Sequence, residues 1–298
     1  MKAFVDFMKK NRVIIVVMLA AVSVLLCSCH REKEPEEYDP YAGMVQVPDG
    51  AGGMLWIRPS EILPLSPYSS GDFAADGSFI NYTGSEYRAY RGVDVSEHQH
   101  EIDWDAVASD GVEFAIIRAG YRGYSQGGLN EDPYFRRNIE EAKRVGMRVG
   151  VYFFSQAINT REAIEEANYL LNLIADYTID LPVFFDWEPI YGGEDVRTEG
   201  VSGDVITECC LAFAQTIYSA GYEPGVYFYR SQGYFDYDLE RLSNMVFWSA
   251  AIGSSPDFYY DHRFWQYSYT GMVSGIEGGV DLDLLFEKTL PSGEGHTE

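Results

Sequence analysis

From Arg91 onward the chain repeats one alternation: a short apolar run, then a segment of helical length with one apolar face, then another apolar run. The candidate strands are 92–96, 113–119, 148–154, 182–186, 225–229, 245–250, 263–267 and 279–284. Helical periods lie between the early ones. Segment 133–145 carries Phe135, Ile139 and Ala142 on one face. Segment 160–177 opens on an Asn159/Thr160 cap and carries Ile164, Ala167, Leu171 and Ile174. Segment 203–220 carries Ile206, Cys210, Phe213 and Ile217. Such alternation implies a parallel sheet with right-handed crossovers. The last three strands stand too close together for full helices between them. The expected class is therefore α/β: an irregular TIM-like barrel over 91–288, made of five βα units followed by three strands with short connections. Residues 44–90, rich in Gly, Pro, Ser and aromatics, with strand-like pieces at 54–58 and 78–82, form a small β-rich extension.

The apolar run 181–185 ends in Asp186-Trp187-Glu188. Alternate strand residues share a face, about 6.6 Å apart along the chain, so the two carboxylates stand side by side where a buried strand ends. Like charges at that range drive two pKa values apart and keep one acid protonated near neutrality. Acid–base chemistry on a glycosidic bond uses this pairing. Asp94 and Asp281 also fall near strand ends, and barrels of this kind gather their chemistry at the carboxyl ends of their strands. Asp283 competes with Asp281, because both point the same way.

The start of the chain is of another kind. Lys2, Lys9, Lys10 and Arg12 precede the apolar stretch Val13–Leu26, which ends in Leu26-Cys27-Ser28-Cys29. A basic start, a short apolar core and a small residue before cysteine describe an export signal, too short to span a membrane comfortably. The last four residues resemble a bacterial lipobox, which implies cleavage before Cys29 and lipid on its thiol. Residues 1–28 are thus the expected signal, 29–43 a charged tether, and 289–298 a tail. Removing the signal takes away four basic residues and one acid, so the net charge moves from −24 to −27. That sign argues against nucleic acid and against adsorption to anionic lipid. Cys209 and Cys210 are adjacent and give no disulfide framework. His98 and His100 have no evident third ligand, so no metal and no cofactor are expected.

Read in order, Arg91-Gly92-Val93-Asp94-Val95-Ser96-Glu97-His98-Gln99, Phe114-Ala115-Ile116-Ile117-Arg118, Gly150-Val151-Tyr152-Phe153-Phe154, Asp186-Trp187-Glu188, Gly225-Val226-Tyr227, Trp265-Gln266-Tyr267 and Gly279-Val280-Asp281-Leu282-Asp283 resemble glycoside hydrolase family 25, the muramidases often called Chalaropsis-type lysozymes. The resemblance covers 91–288. One departure is Arg118-Ala119-Gly120-Tyr121-Arg122-Gly123, where many members carry a Lys-Ala-Thr-Glu-Gly type stretch.

The resemblance implies hydrolysis of the β-1,4 bond between N-acetylmuramic acid and N-acetylglucosamine in peptidoglycan. Glu188 would be the general acid, its pKa raised by apolar neighbours and by the Asp186 charge. Asp186 would orient the substrate's 2-acetamido group, or one aspartate would stabilise the cationic sugar directly. Asp94 and Asp281 would balance charge; the family motif favours Asp281 over Asp283. Sugar rings stack on aromatic faces, which makes Tyr152, Tyr227, Tyr229, Trp248 and Tyr267 candidates for a saccharide groove, with Gln266 as a hydrogen-bonding partner. Expected partners are peptidoglycan glycan strands and, through lipid alone, a membrane; the chain is taken as an exported monomer anchored at an outer membrane or cell surface. Two other functions fit the same residues: an inactive peptidoglycan-binding lipoprotein, and a glycosidase of related fold acting on another amino-sugar polymer such as chitin.

Overall fold

All eight expected strands form, and they close on themselves. The computed structural model describes residues 1–10 and 38–289, which fall into two units, Met1–Ala42 and Gly43–Glu298. In the first, helix α1 (Lys2–Lys10) takes in three of the expected basic residues. The apolar stretch Val13–Leu26, Cys29, most of the expected tether and nearly all of the expected tail lie outside the described residues. Among the described residues no helix is long and apolar enough to cross a membrane.

The second unit begins with two antiparallel hairpins, β1 (Val45–Pro48) with β2 (Met54–Ile57) and β3 (Phe73–Asp76) with β4 (Phe79–Tyr82). Gly77, at φ +63°, makes the tight turn between β3 and β4, a left-handed position that glycine occupies without strain. The barrel follows as β5 (Tyr87–Val95), α2 (Trp104–Ser109), β6 (Phe114–Arg122), β7 (Leu129–Glu131), α3 (Phe135–Arg144), β8 (Arg148–Ser155), α4 (Thr160–Ile174), β9 (Val183–Trp187), α5 (Gly203–Ser219), β10 (Pro224–Tyr229), α6 (Arg230–Phe235), β11 (Val246–Ala250), β12 (Phe264–Gly271) and β13 (Val280–Lys288). Five βα units and three closely connected strands are therefore present. The helices α2 and α6 are too short to show a clear period in sequence.

Neighbours β5, β6, β8, β9, β10, β11 and β12 pair in parallel. Strand β13 runs antiparallel between β12 and β5 and completes the circle, while β7 hangs on β6. Alternation then sorts the strands' side chains into two cores. Phe114, Ile116, Phe184, Trp248, Phe264 and Leu285 fill the barrel. Val93, Ala115, Ile117, Phe185 and Phe228 face outward under the helices. Gly92 and Gly225 leave room for the rings of Phe114 and Phe184, which a β-carbon at either position would strike. The helix faces follow their spacing on α3, where Phe135, Ile139 and Ala142 are buried, and on α5, where Cys209 and Cys210 are buried as free thiols. On α4, Ala167 and Ile174 are buried with Ala163 and Leu170, but Ile164, expected on that face, is exposed.

Strands β12 and β13 are followed by no helix, yet their outer faces are covered. Tyr68, Phe73 and Tyr82 from the extension pack with Tyr87 on Trp265 and Phe286, with ring centroids 4.2 Å apart for Tyr68–Phe286 and 5.4 Å for Phe73–Trp265. Backbone bonds hold this layer: Ser66 N–H donates to Tyr259 O (2.9 Å), Asp261 N–H to Pro64 O (2.9 Å), and the Tyr68 hydroxyl to His262 O (2.7 Å). The extension thus stands where a regular barrel would carry its last helices. Residues 87–90, expected in the extension, are the first turn of the barrel wall in β5.

Candidate active site

Every residue of β9 is buried, because Phe184 and Asp186 face the barrel interior while Phe185 and Trp187 face the helices. Asp186 is therefore carried inward at the end of the strand, and Glu188 follows on the same side, half-buried at the mouth. The backbone there is held from both flanks. The Gln156 side-chain amide donates to Glu188 O (2.7 Å), and the Gln232 amide donates to Trp187 O (2.6 Å). Trp187 is pinned outward by its indole N–H on Ala157 O (3.1 Å). The rim peptide cannot rotate without breaking these bonds, so the two carboxyls keep a fixed relation.

Asp94, near the end of β5, stands directly opposite Asp281 on β13. Asp281 was expected at a strand's carboxyl end; it lies at the amino end of β13. The reversed direction of that strand is what returns it to the same rim. Glu188, Asp186, Asp94 and Asp281 all line one cleft of about 380 Å³, together with Tyr152, Tyr227, Trp248 and Gln266. The Tyr227 hydroxyl donates to Gln266 Oε1 (3.0 Å), and Gln266 Nε2 donates to Asp94 Oδ2 (2.7 Å). Asp283 lies deeper, with no exposure, and accepts from the Trp248 indole (2.8 Å).

Electrostatics in this cleft are those of crowded, desolvated acids. Burial, then the Glu188 charge, pushes Asp186 well above the usual carboxylate range, and Arg118 opposes this. Glu188 is raised by burial, while its hydrogen bond with Asp186 lowers it. The expectation that the Asp186 charge raises Glu188 is therefore corrected. Asp186 is the more deeply buried partner, so the field of the pair acts chiefly on it. Asp281 is raised to about 6 by burial and by Glu188. Asp94 is raised by burial, Asp281 and Asp283. Arg118 is the guanidinium at the cleft; it is itself tied to Asp132 (2.7 Å) and Glu97 (2.8 Å).

The aromatic candidates separate. Tyr152 and Tyr227 line the cleft. Trp248 does so as floor: it is 2% exposed, with Tyr227 4.7 Å away and Phe184 5.0 Å away between ring centroids, so its faces are taken. Tyr229 lies at the rim beside Glu188, hydrogen-bonded to the exposed Tyr191, and is not among the cleft-lining residues. Tyr267 is a correction. Alternation along β12 turns Phe264 and Gln266 inward and Trp265 and Tyr267 outward, so the Tyr267 ring packs on Trp265 and its hydroxyl points toward the extension at Ile80. Residues missed in sequence are Ser96, Gln99, Arg118, Phe154 and the exposed Tyr269, and His98 was weighed only as a metal ligand. Phe154 stands near the carboxyl end of β8, so the rule that found Asp186 also points to it. Arg118 sits in the middle of β6, which runs on to pair with β7, and that rule does not reach it. Among the described residues no group of three or more His, Cys, Asp or Glu is arranged to hold a metal ion.

Comparison with known proteins gives a consistent set of likenesses. Residues 93–276 match the family described as glycosyl hydrolases family 25. The autolytic lysozyme of Clostridium acetobutylicum is 28% identical over 204 residues, covering 68% of this chain and 58% of that protein. The modular autolysin LytC from Streptococcus pneumoniae, solved in complex with a synthetic peptidoglycan ligand, superposes with a TM-score of 0.60 at 25% identity, over 82% of this chain and 57% of that one. A bacterial lysozyme from Streptomyces coelicolor gives 0.54 at 26% identity, over 65% of this chain and 90% of the other. This chain thus spans less than two-thirds of the length of the Clostridium and Streptococcus proteins.

Proposed function

The chain belongs to glycosyl hydrolase family 25, and from that premise we propose that it is a muramidase hydrolysing the β-1,4 bond between N-acetylmuramic acid and N-acetylglucosamine in peptidoglycan. The observation that carries this reading is the clamped Asp186–Glu188 pair at the mouth of an acid-lined cleft. One proton serves both carboxyls, and burial retains it above the ordinary carboxylate range. Glu188, the partner nearer solvent, gives that proton to the leaving glucosamine oxygen as the C1–O bond of the muramic acid breaks. Asp186 has one buried oxygen, Oδ1, with no protein partner. A 2-acetamido N–H donated to that oxygen favours the Asp186 carboxylate and moves the proton onto Glu188. The acetamido carbonyl oxygen bonds C1 as the leaving oxygen departs, and water then displaces that oxygen from C1, giving its proton to the Glu188 carboxylate. Substrate assistance of this kind is an established exception to the two-carboxylate scheme.

The test is digestion of purified peptidoglycan by the chain lacking residues 1–29, beside Glu188→Gln, with new reducing ends identified by mass spectrometry. Muramic acid ends from wild type, and a loss of about 10²–10⁴-fold or more in the variant, are expected. Glucosamine ends overturn the bond assignment. Cutting of chitin oligomers with peptidoglycan untouched overturns the substrate. Binding without cleavage leaves a wall-binding protein.

Export and lipid attachment at Cys29 belong to the same proposal, supported by the basic, apolar and cysteine-terminated start. Fatty-acid labelling that persists in Cys29→Ser removes the anchor from it.

A further inference from the structure

Asp94 in the cleft wall and Asp283 beneath it form a second pair of acids that the reaction as proposed does not use. Asp283 has no exposure. Its Oδ1 accepts from the Trp248 indole (2.8 Å), and its Oδ2 has no donor. The carboxyl of Asp94 lies within hydrogen-bonding reach of it, with Asp94 Oδ2 already accepting from Gln266 Nε2 (2.7 Å). Two facing carboxyls with no donor between them would be two unscreened like charges in a desolvated site. One proton placed between them turns that repulsion into an O–H···O bond.

The surroundings offer no other relief. Facing the pair are Tyr227 from β10, Trp248 from β11, Gln266 from β12 and Asp281 from β13, none of them cationic. Tyr152 on β8 and the Asp186–Glu188 pair on β9 line the same cleft. Arg118 on β6 is committed to Glu97 and Asp132, and its field acts on Asp186 and Tyr152.

We propose that Asp283 is a positioning residue of the cleft, acting through a single proton that it shares with Asp94. The resulting chain of bonds has a fixed sense. Trp248 donates to Asp283, Asp94 donates to Asp283, Gln266 donates to Asp94, and Tyr227 donates to Gln266. Asp94 accepts from Gln266 at Oδ2 and meets Asp283 with its other oxygen, so the shared proton acts on Gln266 by holding the Asp94 carboxyl in place against Asp283. Gln266 and Tyr227 are cleft-lining groups, so the buried proton fixes what the cleft offers to a sugar. Loss of the proton leaves two adjacent carboxylates that push apart and pull the Gln266–Tyr227 arm out of register. The burial-raised acidity of both partners has the direction this arrangement requires.

The decisive experiment replaces the shared proton by a permanent donor. In Asp283→Asn the amide N–H meets Asp94 and the amide oxygen still accepts from Trp248, with volume conserved. Infrared difference spectra of wild type against variant at neutral pH are expected to show one protonated-carboxyl C=O stretch lost in Asp283→Asn, and the same band lost in Asp94→Asn. An unaltered band in both variants overturns the shared proton. If Asp283→Asn does not fold, titration of the band in wild type and its loss in Asp94→Asn decide the question alone.

The role in turnover rests on the muramidase reading and has its own readout. The KM for soluble peptidoglycan fragments is expected to rise at alkaline pH in wild type and to stay flat in Asp283→Asn, while the alkaline limb of kcat, set by Glu188, is kept in both. A profile superposable on wild type overturns the positioning role. Absence of any turnover by wild type refutes the muramidase reading instead, while the infrared result still stands.

Discussion

Phe286→Ala tests the claim that the N-terminal extension is structural wall. The ring of Phe286 is 3% exposed on the outer face of β13, and its centroid lies 4.2 Å from Tyr68, 5.8 Å from Tyr82, 6.0 Å from Phe73 and 6.4 Å from Tyr87. Truncating a buried Phe to Ala costs about 3–5 kcal/mol, the upper part of that range applying where the neighbours cannot collapse. Four rings from two chain segments, pinned by backbone bonds at Ser66 and Asp261, are poorly placed to collapse. A unit of this size shifts its midpoint by about 2–4 °C per kcal/mol, so a fall of roughly 6–20 °C is expected. Urea unfolding of wild type, Phe286→Ala, Tyr68→Ala and the double variant measures both the loss and the coupling. The Tyr68–Phe286 contact is expected to contribute a coupling of about 0.5–1.5 kcal/mol. A loss below about 1 kcal/mol, or additive variants, would show that the extension merely rests on the barrel.

Other consequences are as direct. Arg122 bonds the fully buried Glu166 (2.7 Å) and the Glu162 carbonyl (2.9 Å), so Arg122→Leu leaves Glu166 with the Ser155 hydroxyl and the Gln156 backbone but no cation, and should destabilise by about 3–5 kcal/mol. Burial already raises Glu166 to about 7, so the folded state favours its neutral form, and that contribution is present below the unfolded value and lost as pH rises through 7. The deficit of Arg122→Leu should therefore be larger at pH 8 than at pH 5; equal deficits, measured by denaturant unfolding at both, would contradict the pairing. Tyr227→Phe removes the donor that holds Gln266 and should raise KM roughly five- to tenfold, the equivalent of about 1 kcal/mol. Tyr267→Phe, on the outer face, should leave KM within error, and a matching rise there would put Tyr267 back in the groove.

The barrel is legible in the sequence because its strands are buried on both faces. Runs such as Val183-Phe184-Phe185 cannot sit anywhere but between two apolar layers. Asp186 and Glu188 are legible for the same reason, since an acid at the end of such a run has only the open mouth to face. Strand direction is not legible. The short link before β13 is compatible with either sense, and only the pairing of Asp281 with Asp94 reveals a reversed strand. Tyr267 shows the limit of pattern: Gln266 and Tyr267 are neighbours on one strand and cannot both face inward, and the phase of alternation, with Phe264 inward and Trp265 outward, decides which does. Contacts between distant residues, Arg122 with Glu166 or Asp94 with Asp283, leave no trace in spacing. The aromatic richness of the extension is visible, but nothing in it says which wall those rings cover.

The antiparallel final strand also sets an order in time. Synthesis delivers β5 early and β13 last, and the ladder between them joins Asp94 to Asp281. Until that strand emerges, β5 and β12 are open edges and the circle cannot close. Asp281 and Asp283 arrive together with closure, so a chain interrupted between residues 189 and 280 holds Asp186 and Glu188 but lacks a finished cleft. Products that stop short of β13 are therefore expected to be inactive, because the cleft is complete only once that strand closes the circle.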